Sequence, residues 1–121
     1  RLYVKSLLAL LKQIRPHAFA HITGGGLTEN LPRVLPEFTT AQIDLSSWSR
    51  PEVFNWLQEH GNIEEQEMLR TFNCGIGMVV CVSHEDKDKA IDILQQHGEI
   101  VSVLGSIEAA EDKTPSVKYQ L

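Results

Sequence analysis

Three consecutive glycines, Gly24, Gly25 and Gly26, have His21 and Thr23 just before them and Asn30 and Arg33 shortly after. Without a Cβ, such a triplet lets a ligand come close to the backbone, reaches angles closed to other residues and can turn successive N–H groups toward one point. A helix starting at Gly26 or Leu27 would aim its first-turn N–H groups and the positive end of its dipole the same way. Thr23, Asn30 and Arg33 add a hydroxyl, an amide and a guanidinium, the donors a phosphate needs, and arginine can meet two oxygens at once. A glycine triplet is also a common plain turn. From the residues alone, the anion site and the structural turn both stand.

The other chemically capable residues have ordinary readings beside functional ones. His21 could hydrogen-bond a phosphate or orient the loop, or be structural at a strand end. Glu29 could act as a base, or simply be favoured by the dipole early in a helix. Asn73 and Gly75 fall where a helix meets a strand, in the same cleft or as a plain cap. Cys74 and Cys81 are seven residues apart, with no histidine near Cys74 in sequence, which argues against a catalytic thiol. His17, His60, His84 and His97 are scattered without metal-ligand spacing, so no metal is expected on this chain. Trp48 and Trp56 read as core or interface residues, and Glu64, Glu65 and Glu67 as an exposed acidic face.

Positioning these residues requires a mixed set of elements. Val4, Leu7, Leu8, Leu11 and Ile14 keep a helical stripe that Pro16 ends. Residues 18–22 form a short strand that delivers the chain to the glycines, and 27–34 a short helix broken at Pro32. Residues 40–45 read as a strand. Ser49, Pro51 and Glu52 supply an N-cap, a helix-start proline and a capping-box partner for a helix burying Val53, Phe54 and Leu57. Asn62 with Glu65 repeats that signal for a third helix with Met68, Leu69 and Phe72 inward. The β-branched run at 78–82 predicts a central strand covered on both faces. A last helix turns Ala90, Ile91 and Leu94 inward and ends at Gly98. Residues 100–107 and 117–121 are strands joined by a polar loop. The prediction is an α+β fold, with about four helices packed on a mixed, mostly antiparallel sheet.

With 121 residues, 42% of them hydrophobic, a single domain spanning 1–121 is expected. A formal net charge of −5 lacks the basic face of nucleic-acid or membrane-surface binders. No apolar run reaches membrane-spanning length. Two cysteines cannot build a disulfide framework, so a reducing, cytoplasmic setting is the default.

The run from His21 to Pro36 resembles a signature of the phosphoribosylformylglycinamidine cyclo-ligase (AIR synthetase) family. Three further blocks resemble that family in the same order: Arg1-Leu2-Tyr3-Val4-Lys5, Pro51-Glu52-Val53-Phe54-Asn55-Trp56-Leu57, and Arg70-Thr71-Phe72-Asn73-Cys74-Gly75-Ile76-Gly77-Met78. From about Ser83 onward the agreement is only in the pattern of strand and helix. The resemblance implies an ATP-dependent ring closure. ATP activates the formyl oxygen of formylglycinamidine ribonucleotide and an amidine nitrogen closes the imidazole, giving aminoimidazole ribonucleotide, ADP and phosphate. It further implies that this chain is the C-terminal domain, inactive alone, of a cytosolic homodimeric enzyme whose N-terminal domain holds ATP and Mg2+. His21, Thr23, Gly24, Gly25, Gly26, Asn30, Arg33 and Asn73 would then hold the phosphate and ribose of the substrate. Another ATP-dependent enzyme of the same superfamily (an amidotransferase or small-molecule kinase) and a non-catalytic ligand-binding or dimerisation module are the alternatives.

Overall fold

The computed structural model describes residues 3–72 and 74–120. In chain order these form α1 (Val4–Leu11), β1 (Ala18–His21), α2 (Gly26–Asn30), β2 (Thr39–Asp44), α3 (Glu52–Gly61), α4 (Glu65–Thr71), β3 (Met78–Cys81), α5 (Lys87–Gln96), β4 (Gly105–Ala109) and β5 (Ser116–Gln120). Short 3-10 turns occupy Pro32–Val34, Leu45–Ser47 and His84–Asp86. The fold is α+β, as the sequence pattern predicts. One sheet has the order β4-β2-β5 and is mixed. Ala41 of β2 lies opposite Ile107 of antiparallel β4 and opposite Val117 of parallel β5. β1 and β3 form a second, two-stranded sheet.

The chain divides into two compact units, one from the segments up to Phe19 and from Val80 to Ser102, the other from Ala20 to Val79 and from Val103 onward. In the first, α1 and α5 enclose Leu10, Ile14, Ala90 and Ile93, with Phe19, Val80, Val82 and Leu94 half-buried around them. The buried residues of α1 are Ser6 and Leu10, so the expected stripe is rotated within the helix, where Val4, Leu8 and Leu11 are exposed; Ile14, just beyond its end, is buried as expected. Apolar residues surround this helix, and periodicity alone cannot choose which face turns inward. α5 ends as predicted. Gly98 takes a φ of 84°, its N–H donates to the Gln95 carbonyl and the Glu99 N–H to that of Leu94, the paired bonds of a Schellman cap.

In the second unit, Met68, Leu69 and Cys74 form a buried cluster ringed by Leu45, Phe54, Ile63, Phe72 and Tyr119. α2 lies against α4, and Leu27 and Leu31 are each 1% exposed. Several expectations change here. α3 starts at Glu52 with Pro51 as N-cap and no side-chain cap, so Ser49 does not fill that role. Asn62 closes α3 in the left-handed conformation rather than opening α4, a geometry asparagine tolerates because its short polar side chain bonds locally. No residue of α3 is buried, and Val53 and Trp56 are 57% and 56% exposed; only Phe54 of its apolar stripe joins the cluster. β3 is not the doubly covered central strand its β-branched run predicts. Its one partner among the described strands is β1, and only Val79 of its residues is buried. Among the described residues, no helix is long and apolar enough to cross a membrane.

Candidate functional site: the glycine loop between β1 and α2

The Ile22 amide donates to the carbonyl of Gly77 (3.0 Å), fixing the chain as it leaves β1. The Gly26 amide then donates to the Thr23 carbonyl at 3.0 Å, closing a turn whose third residue, Gly25, has φ 99° and ψ −14°. Those angles belong to the i+2 position of a type II turn, which selects glycine. Gly26 follows with φ 60° and begins α2. Its Cα faces the carbonyl oxygens of Leu69 and Phe72 so closely that a Cβ would overlap both. Gly24 differs from both. Its φ is not positive, it is exposed, and a Cβ there would meet nothing within 4 Å.

Asn30 holds this loop from beneath. It is 7% exposed, and its Nδ2 donates to the carbonyls of Gly26 (2.8 Å), Gly24 (3.2 Å) and Thr23 (3.4 Å). Its Oδ1 accepts the Thr23 hydroxyl at 3.4 Å. A trans peptide points its C=O and N–H in opposite directions. With the carbonyls of Thr23 and Gly24 drawn toward Asn30, the N–H groups of Gly24 and Gly25 are turned outward. Neither donates to a backbone carbonyl of the described residues.

α2 is tied to the rest of its unit through Thr28, whose hydroxyl lies 2.8 Å from that of Tyr119 and 3.4 Å from the Leu69 carbonyl. Burial pushes the Tyr119 hydroxyl above its ordinary pKa, partly countered by the Thr28 bond. Tyr119 is therefore a neutral tether at physiological pH.

The sequence-predicted residues divide as follows. Thr23, Gly24, Gly25, Gly26 and Asn30 come together in one hydrogen-bonded loop. His21 stands exposed at the end of β1 and Arg33 exposed on the 3-10 turn after α2; no hydrogen bond joins Arg33 to the loop. Asn73 lies outside the described residues. Its neighbour Cys74 has φ 52° and Gly75 φ 97°, a tight turn held by the Trp48 indole N–H donating to the Cys74 carbonyl at 3.0 Å. Trp48 is thus a half-buried packing residue. Trp56 is not core; it stacks on His60 with centroids 4.4 Å apart.

Beside the loop is an open hollow of about 310 Å³ lined by Thr23, Gly24, Phe54, Thr71 and Phe72. The two phenylalanine rings lie 6.0 Å apart at 58°. Phe54, Thr71 and Phe72 were not candidates on sequence grounds. Phe54 and Phe72 fit a core pattern, and only the packing of α4 under Gly26 brings Phe72 and Thr71 to the loop. Around the hollow stand the loop's outward N–H groups and an apolar aromatic wall; the Thr23 and Thr71 hydroxyls already donate, to Asn30 Oδ1 (3.4 Å) and Glu67 Oε1 (3.3 Å), so an oxyanion attached to a small organic body would be met here by backbone N–H groups.

Burial raises the thiol pKa of both Cys74 and Cys81. For Cys74, Arg50 lowers it and Glu65 raises it, both more weakly than burial. A raised pKa leaves less thiolate at pH 8 than in a free cysteine. Labelling with an aromatic disulfide reagent at pH 8 is expected to be at least about tenfold slower in the folded chain than in urea, with Cys74, fully buried, slower than half-buried Cys81. Rapid reaction of native Cys74 would overturn its placement.

The family model described as "AIR synthase related protein, C-terminal domain" matches residues 1–118. The chain belongs to this family. Among curated relatives, it is 58% identical over 107 residues to the phosphoribosylformylglycinamidine cyclo-ligase of Nitrosococcus oceani, covering 88% of this chain and 30% of that protein. It is 61% identical over 107 residues to the protein of the same name from Neisseria meningitidis, covering 88% and 31%. The chain thus spans about three tenths of the length of these relatives. An alignment covering 107 of 121 residues necessarily takes in the whole glycine loop.

Proposed function

We propose that this chain is the C-terminal, substrate-side domain of a phosphoribosylformylglycinamidine cyclo-ligase. The observation that carries this reading is the identity of about 60% to two proteins of that name through a stretch containing the loop. In the proposed reaction, ATP phosphorylates the formyl oxygen of formylglycinamidine ribonucleotide, turning a poor leaving group into a good one. An amidine nitrogen then attacks that carbon and phosphate departs, leaving aminoimidazole ribonucleotide and ADP. This chain's share is binding and orientation. The glycine loop takes the substrate's phosphate, with Thr23 and Thr71 beside it, and the Phe54 and Phe72 rings face the rest of the molecule. His21, Arg33 and Asn73 remain candidates to reach the substrate from the loop's flanks.

ATP and Mg2+ belong, in this reading, to the preceding domain. Magnesium takes carboxylates and phosphate oxygens, whereas the hollow is lined by two threonines, two phenylalanines and a glycine. Among the described residues, no three of His, Cys, Asp and Glu gather to hold a metal. The lining does not fit Mg2+, and no step on this chain runs through it. The reading also carries a homodimeric parent enzyme in the cytosol.

A chimaera tests it. The Neisseria meningitidis cyclo-ligase, with its matching segment replaced by this chain, is expected to close the ring with ATP at a rate within about tenfold of its parent, because the transplanted site would supply the same transition-state contacts. A folded chimaera with background activity only would sink the proposal.

A further inference from the structure

α1 and α3 each present an exposed apolar face, and the charges flanking the two faces are opposite. On α1, Val4, Leu8 and Leu11 are 60%, 54% and 48% exposed, with Lys5 and Lys12 exposed beside them. No Asp or Glu precedes Glu29, so this helix is basic in a chain of net charge −5. Lys5, Leu8, Ala9, Lys12 and Gln13 follow at helical spacing on one side of α1 and the turn after it, and with His97 they line an open hollow of about 500 Å³. The His97 ring is held there by its Nδ1–H, which donates to the Ile93 carbonyl at 2.9 Å. α3 is the counterpart. None of its residues is buried, and Val53 and Trp56 stand out between exposed Glu52 and Glu59. Spaced three and four residues apart, Glu52, Trp56 and Glu59 share one helical face. The Trp56 indole stacks on His60, whose Nδ1–H donates to the Trp56 carbonyl at 3.0 Å. A large exposed ring is thus already stiffened, as the anchors of interfaces are.

We propose that α3 of one copy of this chain docks on α1 of a second copy, the Trp56 indole entering the hollow over Leu8 and Ala9 while Glu52 and Glu59 pair with Lys5 and Lys12. The two carboxylates are seven residues apart and so are the two ammonium groups, close to two helical turns in each case, so both pairs can close together. A second copy is the occupant because the complement of each face, in charge, spacing and shape, stands on the same chain. Each face is complete within its own unit, and the faces that meet are unlike, which makes the contact heterologous. A single pair of helices covers less than a standard interface. Association is therefore weak, and its exposed ion pairs make it sensitive to salt. The contact stands apart from the reaction proposed above.

The test is sedimentation equilibrium of the 121-residue chain from about 10 μM to about 1 mM, the range of weak contacts. In the wild type the mean mass should rise above that of the monomer with concentration, and fall back in about 1 M sodium chloride, where the Debye length is about 3 Å. Trp56→Ala should weaken association at least about tenfold. Lys5→Glu with Lys12→Glu makes both faces acidic, and Glu52→Lys with Glu59→Lys makes both basic, so each double variant alone should stay monomeric. Mixed one to one they should associate again, because every α1 then meets an α3 of opposite charge. These positions are exposed, so the melting temperatures should stay within about 3 °C of the wild type. Association that survives either charge reversal, or a mixture that stays monomeric, would overturn the proposal. So would a wild type monomeric throughout, which would leave α1 and α3 to a different partner.

Discussion

Gly26→Ala should lose about 2–5 kcal/mol of unfolding free energy. Alanine in the left-handed conformation costs roughly 1–2 kcal/mol, and forcing a methyl into filled space adds roughly 1–3 kcal/mol. The methyl would overlap the carbonyls of both Leu69 and Phe72. These are backbone atoms at the end of α4, unable to rotate away as a side-chain tip can. The strain falls beside the cluster of Met68, Leu69 and Cys74, so it should register in global urea unfolding and not only in the loop. A matched Gly24→Ala should leave the urea midpoint in place or raise it slightly, because it restricts only the unfolded chain. Equal midpoints for the two variants would show that α2 can lift off α4 at little cost.

Asn30→Asp should be nearly as damaging at neutral pH and far milder in acid. The amide that donates to three carbonyls would become a carboxylate facing them, an uncompensated buried charge worth about 3–5 kcal/mol. Burial and the carbonyl oxygens both favour the protonated acid, so the folded-state pKa of the new group lies above its unfolded value of about 3.9. Relative to wild type, the penalty is fully present above the folded pKa and fades as pH falls through it, because the protonated acid can donate one hydrogen bond again. Urea midpoints of both proteins at pH 8 and pH 4 measure this. Asn30→Ala, with nothing to titrate, should lose about 1–3 kcal/mol at both pH values. A pH-independent loss for the aspartate variant would place Asn30 away from those carbonyls.

The elements next to strong local signals were legible in the residues. Pro32 broke the helix after the loop, Gly98 ended α5, and the alternation of helices and strands predicted an α+β chain. The loop's existence was legible too, because three glycines between an apolar strand and a helix leave few other structures. Its internal division of labour was not. Asn30 has the right chemistry to bind phosphate, and only the three-dimensional placement of Thr23, Gly24 and Gly26 commits its donors to carbonyls. The choice of buried face failed where apolar residues surround a helix: Val4, Leu8 and Leu11 of α1, and Val53 of α3, lie outward. Local sequence fixes such helices; which side is covered depends on segments distant in sequence. Phe54, Thr71 and Phe72 were missed for the same reason, since the contact of α2 with α4 spans some forty residues of chain, as in the bond from Thr28 to Leu69.

The parallel pairing of β2 with β5 sets the order in which the site can mature. β2 is the central strand of its sheet, yet all of residues 45–104 must follow it before β4, and then β5, can flank it. Until then both of its edges are bare, in a segment whose Ala41 and Ile43 end up buried, and such edges invite pairing with other chains. Contacts this remote also slow folding, because a long loop must close before any pairing rewards it. Tyr119 arrives on β5 and only then clasps Thr28 on the helix beneath the glycines. A ribosome thus releases the helix beneath the glycine loop 91 residues before its anchor, and the loop waits that long for its clasp.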